Sequence, residues 1–305
     1  MPELPDVELY LHALRPRLIG RPIVAVRVAS PFLVRTTDPD IQTLTQRTVR
    51  GLGRMGKRIV LDCDGPLMAV HLMVAGRFQW RPEGASIPRR LGLMAIDVPG
   101  GSLLLTEAGT TRRAAVHVVP DREALAALDP GGLEVLDASL ESFRQVLGRE
   151  RHTLKRSLTD PSLFSGIGNS YSDEMLHRAG MSPTKMSDAL STEDVERLYH
   201  AARSVLREWR DRLIAEAGDT FPAKVTAFHA GMAVHGRFGQ PCPMCHTAVQ
   251  RLRYAANEAN YCPTCQTGGR LLADRGLSRL LKTDWPRSVE ELERRKATRR
   301  LPPTQ

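Results

Sequence analysis

The sequence has no apolar run approaching the roughly 18 residues that suggest a membrane span. Nor does a charged segment followed by a short apolar one open the chain, as in a secretory leader. Both absences exclude a membrane-spanning reading and lead to the expectation of a cytoplasmic protein. Internal repeats and long low-complexity segments are also missing, which argues for ordinary packed domains. Cysteine is scarce, at five residues in 305, and four of the five crowd into one short stretch. Acid is in deficit, with 34 Asp and Glu against 43 Lys and Arg and a net charge of +9. That balance suits a polyanionic partner, although many basic proteins bind no nucleic acid. A hydrophobic content of 42% is enough for two or three packed cores in a chain of this length.

Periodicity changes along the chain. Short β-prone runs at residues 23–28, 59–63, 67–72, 78–81, 93–98 and 102–106 are punctuated by Gly and Pro, predicting a sandwich or barrel-like domain over residues 1–120. After Pro120 helical spacing takes over. Residues 121–128, 140–147 and 153–158 are short candidates, and 191–217 is a long one with Gly218 just past its end. Residues 121–230 are therefore expected to be mostly α. Glycine, cysteine and β-prone residues return over 231–268. A basic extension over 269–305 carries a capping-box pair, Ser288 and Glu291, at the start of a short tail helix. The expected class is α+β and multidomain.

Cys242 and Cys245, then sixteen residues, then Cys262 and Cys265 form two C-x2-C pairs. Two tight turns of this kind present four thiolates tetrahedrally, as a structural zinc ion prefers. Without an export signal, a pair of disulfides is the weaker alternative. His246 lies nearby, but four cysteines already complete the set. Cys63 sits in an apolar β-run and reads as a small core residue. Arg237, Arg251 and Arg253 surround the cysteine pairs with cations of the type phosphate contacts use.

The N-terminal Met-Pro-Glu-Leu-Pro-Asp-Val-Glu offers a nucleophile that exists only after processing. Removing Met1 would leave Pro2 as a secondary α-amine, a class of group that titrates at roughly 7.7 to 8.0 and can attack aldehydic carbon. Glu3 stands beside it for proton transfer. Pro5, Asp6 and Glu8 suit a helix start, with Val7, Leu11, Leu14 and Leu18 at helical spacing. An ordinary amphipathic helix would show the same local pattern. Further on, Ser165-Gly166-Ile167-Gly168-Asn169 precedes a helix-like stretch. Such a turn either brings backbone amides to a phosphate, with Asn169 as a donor, or simply links two helices. Lys155 and Arg156 either face that backbone or are solvated charges.

The Pro-Glu-Leu-Pro start, the Gly-Ile-Gly-Asn turn and the Val-His-Gly-Arg before the paired cysteines occur in one order from Pro2 to about Gln266. Together they resemble the Fpg/Nei family, the formamidopyrimidine-DNA glycosylases and endonuclease VIII. The resemblance implies an N-terminal β-sandwich, a helical domain with a helix-two-turns-helix motif and a zinc-finger β-hairpin. It implies a monomeric base-excision repair enzyme associated with the nucleoid and acting on double-stranded DNA that contains a damaged base or abasic site. In that reading Pro2 forms a Schiff base at the deoxyribose, Glu3 moves protons and Lys57 lies near the lesion and its phosphate. His71, Met73, Arg113, Lys155 and Asn169 meet DNA, and Cys242, Cys245, Cys262 and Cys265 hold one zinc ion.

Several positions depart from the family pattern. His71-Leu72-Met73-Val74-Ala75-Gly76 carries Val74 where the family has a wedge methionine, and Met73 is the nearest substitute. Thr110-Thr111-Arg112-Arg113-Ala114-Ala115 has lost an aromatic, leaving Arg113 as the candidate for the orphaned base. Asn257 stands where an arginine usually clamps phosphate, and Asp6 replaces a glutamate. The segment 218–235 is shorter than the loop that caps oxidised guanine in the guanine-specific branch.

Overall fold

The computed structural model describes residues 1–109, 111–223, 225–226, 228–254, 257–273 and 285–300. It divides into two compact units. One comprises Met1–Leu136, Pro161–Ile167 and Leu206–Ala227, and the other Asp137–Asp160, Gly168–Val205 and Phe228–Gln305.

The first unit opens with helix α1 (Leu4–Leu18), which buries Val7, Leu11, Leu14 and Leu18, the residues whose spacing predicted it. Two four-stranded antiparallel sheets follow. One has the order β1 (Ala25–Val28), β6 (Gly92–Val98), β7 (Gly101–Glu107), β5 (Gly76–Arg81). The other runs β2 (Gly51–Met55), β3 (Arg58–Asp62), β4 (Leu67–His71), β8 (Ala115–Val119). Together they are the expected β-sandwich. Strands β6 and β7 are buried at every residue, consistent with their continuous apolar runs. Met55, Val60, Leu67, Ala69 and Val119 pack against the short helix α2 (Arg122–Ala126) to cover the second sheet.

Six of the eight strands answer to runs visible in the sequence. The two others are β2 and β8, of which β8, with three valines in five residues, has the local composition of a strand. Gly51 and Gly53 lower the strand propensity of β2, which exists because its backbone pairs with β3.

The second unit is helical. It contains α3 (Leu140–Leu147), capped by Ser139, and α4 (Leu154–Thr159), capped by Thr153. After α5 (Asn169–Arg178) comes α6 (Thr192–Ala217), whose residues fall in both units. Gly218 ends α6 at φ 54°, the left-handed conformation that suits glycine. A hairpin, β9 (Gln250–Tyr254) and β10 (Asn257–Tyr261), then leads into α7 (Pro263–Thr267). A tail helix, Val289–Arg300, starts where Ser288 Oγ accepts the Glu291 amide at 3.2 Å. Among the described residues no helix is long and apolar enough to cross a membrane.

Candidate active site and nucleic-acid interface

At the chain's start, Glu3 is buried and its amide donates to the Asp6 carboxylate at 2.9 Å, closing the first turn of α1. Asp6 is itself fully buried, so the shorter acid in place of the family's glutamate is a fixed part of this turn. The Leu4 amide donates to the Gly166 carbonyl at 2.9 Å. Gly166 has φ 74°, and a Cβ there would lie 2.9 Å from Leu4 Cβ, so only glycine fits beneath the helix start. Arg54 braces the same region. It reaches Glu8 at 3.3 Å and Gly56 O at 2.9 Å, and it pairs with Glu134, which also accepts the Ser165 hydroxyl. This first glycine of the turn thus serves packing.

The α-amine of Met1 has its pKa lowered, chiefly by burial, with Arg77 and Lys57 adding to the effect against Glu3 and Asp6. A depressed amine pKa raises the uncharged, nucleophilic fraction at neutral pH. Pro2, next to it, is buried.

The strand register explains how distant residues meet here. Met55 pairs with Arg58, Arg58 with His71, and His71 with Ala115 along one sheet, while Gly76 pairs with Glu107 in the other. One end of the sandwich therefore carries the Gly56-Lys57 turn, the loop 72–75 and the crossover 108–114. Gly56 takes φ 59° in its two-residue turn, which projects Lys57 from the sheet end. Met73 is left-handed at φ 53°, Val74 is 61% exposed at the loop tip, and Arg77 donates to the Val74 and Gly76 carbonyls at 3.1 and 2.6 Å. A Cβ on Gly76 would lie 2.2 Å from Leu72 O, so the loop requires glycine at its close.

The crossover is held by a buried acid. Glu107 accepts the Arg113 amide at 3.0 Å and the Ala114 amide at 3.1 Å, which fixes the backbone and leaves the Arg113 side chain exposed while Ala114 is buried. Thr110 lies outside the described residues. Burial, followed by Arg58, Lys57 and His117, pushes the His71 pKa down to about 4. His117 is lowered as well, by burial and by Arg58 and Arg35. Both imidazoles are therefore neutral at pH 7 in a neighbourhood dominated by cations, which suits an anionic ligand.

In the second unit Asn169 begins α5 directly after Gly168, which has no side chain to cap the helix. Lys155 is buried. Its ammonium donates to Asn169 O at 2.6 Å, Ser172 Oγ at 2.9 Å and Asp173 Oδ1 at 2.5 Å, occupying its three protons and locking the turn. Arg156, its neighbour, is exposed. Asp173 also accepts the Asn260 amide at 3.1 Å and lies 2.8 Å from His235 Nδ1. Glu174 accepts the amides of Ala233, Val234 and His235 at 2.7 to 2.9 Å. This acid pair on α5 anchors the cysteine-bearing segment, and nothing in the local sequence pattern signalled it.

The ligand sulfurs of Cys242, Cys245, Cys262 and Cys265 all lie within 4.8 Å of one another. Cys242 and Cys265 are 3.9 Å apart and Cys245 and Cys262 3.3 Å, near the roughly 3.8 Å edge of a tetrahedron with metal–sulfur bonds of about 2.3 Å. Disulfide bonding at about 2.0 Å is excluded by those separations. The cluster can hold a metal ion. His177 of α5 places Nε2 3.3 Å from Cys242 Sγ, tying helix to cluster. Cys63 is buried elsewhere, with its thiol pushed up to about 12 chiefly by burial, as expected of a core residue.

Of the cations around the cysteines, Arg237 is spent on the Met232 and Pro241 carbonyls, Arg251 stacks 4.2 Å over the Phe238 ring, and Arg253 is exposed. Asn257 opens β10 opposite Tyr254, and its side chain lies outside the described residues. Lys224 and Ala227 of the 218–235 segment, and residues 274–284 and 301–305 of the basic extension, lie outside them too.

Two family models match the chain, the formamidopyrimidine-DNA glycosylase N-terminal domain over residues 1–113 and the formamidopyrimidine-DNA glycosylase H2TH domain over residues 130–211. A formamidopyrimidine-DNA glycosylase of an Exiguobacterium species is 31% identical over 87% of this chain and 99% of its own length. Another from Heliobacterium modesticaldum is 34% identical over 87% and 100%. Among solved structures, Lactococcus lactis Fpg in complex with abasic-site DNA superposes with a TM-score of 0.77 at 23% identity, covering 87% of this chain and 99% of that one.

Proposed function

We propose, from the premise that this chain belongs to the formamidopyrimidine-DNA glycosylase family, that it is a bifunctional DNA glycosylase and AP lyase of base excision repair. The observation that carries the reading is the placement of Pro2 beside buried Glu3 at the cation-rich end of the sandwich, where the fields of Arg77 and Lys57 reach the chain's first residue. Once Met1 is removed, the Pro2 nitrogen attacks C1′ of the damaged nucleotide and the base leaves with its bonding electrons, protonated on departure. Glu3 handles proton transfer at the sugar as the ring opens to an iminium. The iminium acidifies the C2′ proton. Its removal expels the 3′ phosphate, and a second elimination expels the 5′ phosphate.

Lys57 acts beside the lesion and its phosphate, while His71, Met73 and Arg113 meet the strand at the sandwich end. Asn169 contacts phosphate at the start of α5, and Lys155 supports that turn from below. Zinc is the ion that the four thiolates suit. Its ligation substitutes for a core too small to fold alone, and one equivalent per chain by metal analysis is the expected content. The enzyme is read as a monomer acting on nucleoid DNA in the cytoplasm. Exposed Val74 and buried Ala114 offer little surface for filling the gap left by an extruded base, which favours abasic sites, where no base has to be extruded.

Borohydride trapping on abasic-site duplexes tests this directly. Protein with a processed N-terminus is expected to form a covalent adduct, and Pro2→Gly to form it at least tenfold more slowly. No adduct from processed protein, or unchanged trapping in Pro2→Gly, overturns the mechanism. Tight, salt-sensitive binding without cleavage of any lesion would instead identify a non-excising damage binder.

A further inference from the structure

We propose that Phe32 supplies the stacking face for an unpaired base of the damaged duplex, a role that rests on the DNA-directed reading above. Phe32 is the most exposed large hydrophobic among the described residues, at 83%. A single exposed hydrophobic is ordinary on a protein surface, so the case for an occupant rests on where this ring is held and on the charges near it. The ring is carried on a firm mount. It lies in a short 3-10 turn, Pro31–Leu33, between Pro31, whose φ is fixed by its ring, and Leu33, which is buried.

Both flanks of that turn are hydrogen-bonded to the sandwich. The Ala29 and Ser30 amides donate to Leu93 O at 2.9 and 3.1 Å, and the Arg35 amide donates to Val116 O at 2.8 Å. Val34 forms a parallel bridge with Val116. Val116 lies at the start of β8, directly after the crossover, so this bridge ties the segment that follows Phe32 to the strand that leaves the crossover presenting Arg113. This is the sandwich end that bears the Lys57 turn and the Val74 loop.

Three arginines lie on the segments at this end of the sandwich. Arg35, Arg90 and Arg112 are exposed, and Arg112 donates to the Arg90 carbonyl at 2.6 Å, holding the crossover against the segment that leads into β6. An exposed ring among arginines is the chemistry of nucleic-acid stacking, in which the charges follow phosphate and the ring takes a base. A protein partner with an acidic, apolar patch would be the competing occupant. The position of Phe32 on the end that carries the reactive amine favours DNA.

Duplexes carrying a tetrahydrofuran abasic analogue, and the matched intact duplexes, test the assignment with Phe32→Ala, Phe32→Leu and Phe32→Trp. Because the side chain is exposed, all three variants are expected to melt like the parent. Phe32→Ala and Phe32→Leu should bind the abasic duplex about tenfold more weakly with no change toward intact DNA. Phe32→Trp should retain affinity, and its added emission should be quenched by the abasic duplex only. Unchanged affinity for each duplex on going from parent to Phe32→Ala, with both proteins preferring the abasic one alike, overturns the role of Phe32 alone. Failure of the parent to prefer abasic DNA overturns the DNA-repair reading with it, and loss of intact-duplex affinity in Phe32→Ala would mark a general contact and also overturn the proposal.

Discussion

Lys57 and Lys155 are both lysines that the family pattern marks, yet they occupy opposite environments. Lys57 projects from a two-residue turn, and its charge lowers the pKa values of the Met1 amine and of His71. Lys155 is buried, with a carboxylate, a hydroxyl and a carbonyl taking its three protons. The first places its field at the sandwich end, on the Met1 amine and His71, and the second is paired inside the protein with Asp173. A motif lysine therefore carries no fixed role, because partners and burial decide whether its charge is available.

The sandwich end and the α5 hub differ in the same way. Cations crowd the first, where the acids Glu3, Asp6 and Glu107 are buried and fix the backbone. At the hub, Asp173 and Glu174 are saturated by seven donor contacts from Lys155, His235, Asn260 and the amides of residues 233–235. The proposed chemistry belongs to the first region, and the second is a hydrogen-bonded tie between α5 and the cysteine-bearing segment.

Several substitutions would break or sharpen that contrast. Glu3→Gln, which keeps shape and removes the titratable proton, should lower single-turnover base excision by about 10²- to 10⁴-fold on a defined lesion while binding is retained. An undiminished rate would move proton transfer to another group. Lys155→Ala should destabilise the protein by about 3 kcal/mol in denaturant unfolding, since it leaves part of the Asp173 charge buried and unpaired.

A change of pH probes the sandwich end without mutation. The folded protein keeps His71 neutral down to about 4, whereas the unfolded chain takes up its proton at 6.5. Unfolding therefore binds a proton between those values, so stability is complete above 6.5 and falls as pH drops toward 4, by at most about 3 kcal/mol. His71→Gln should flatten that part of the curve, and a parent-like slope in the variant would assign the loss elsewhere. Lys57→Ala should change stability by no more than about 0.5 kcal/mol but reduce the salt dependence of DNA binding by about one unit of slope, as measured by anisotropy titration. If Lys57→Ala and Lys155→Ala behaved alike, the contrast between the two lysines would fail.

Local pattern was enough to find α1, α3, α4 and α6, because each has periodic apolar residues and a stop or cap at its ends. The metal cluster was legible for a similar reason, since two C-x2-C turns contain most of their own geometry. Strand β2 was not, because Gly51 and Gly53 give it weak propensity and its neighbour's hydrogen bonds define it; β8, with three valines in five residues, has a strand's composition but lay outside the expected runs. Glu107, Arg54, Arg77 and Glu174 were missed because each acts on a partner whose identity no short-range spacing reveals.

The sequence by itself determined the helical periods, the thiolate set, the surplus of positive charge and the proline that processing would expose. Only the tertiary structure decided which charges are buried and paired and which act at the end of the sandwich. Burial and hydrogen-bond partners come from residues far apart in the chain, and they set the electrostatic energy of each group. That is why Gly166 became a packing glycine, Lys155 an internal tie, and the one end of the sandwich a cationic face around a depressed amine.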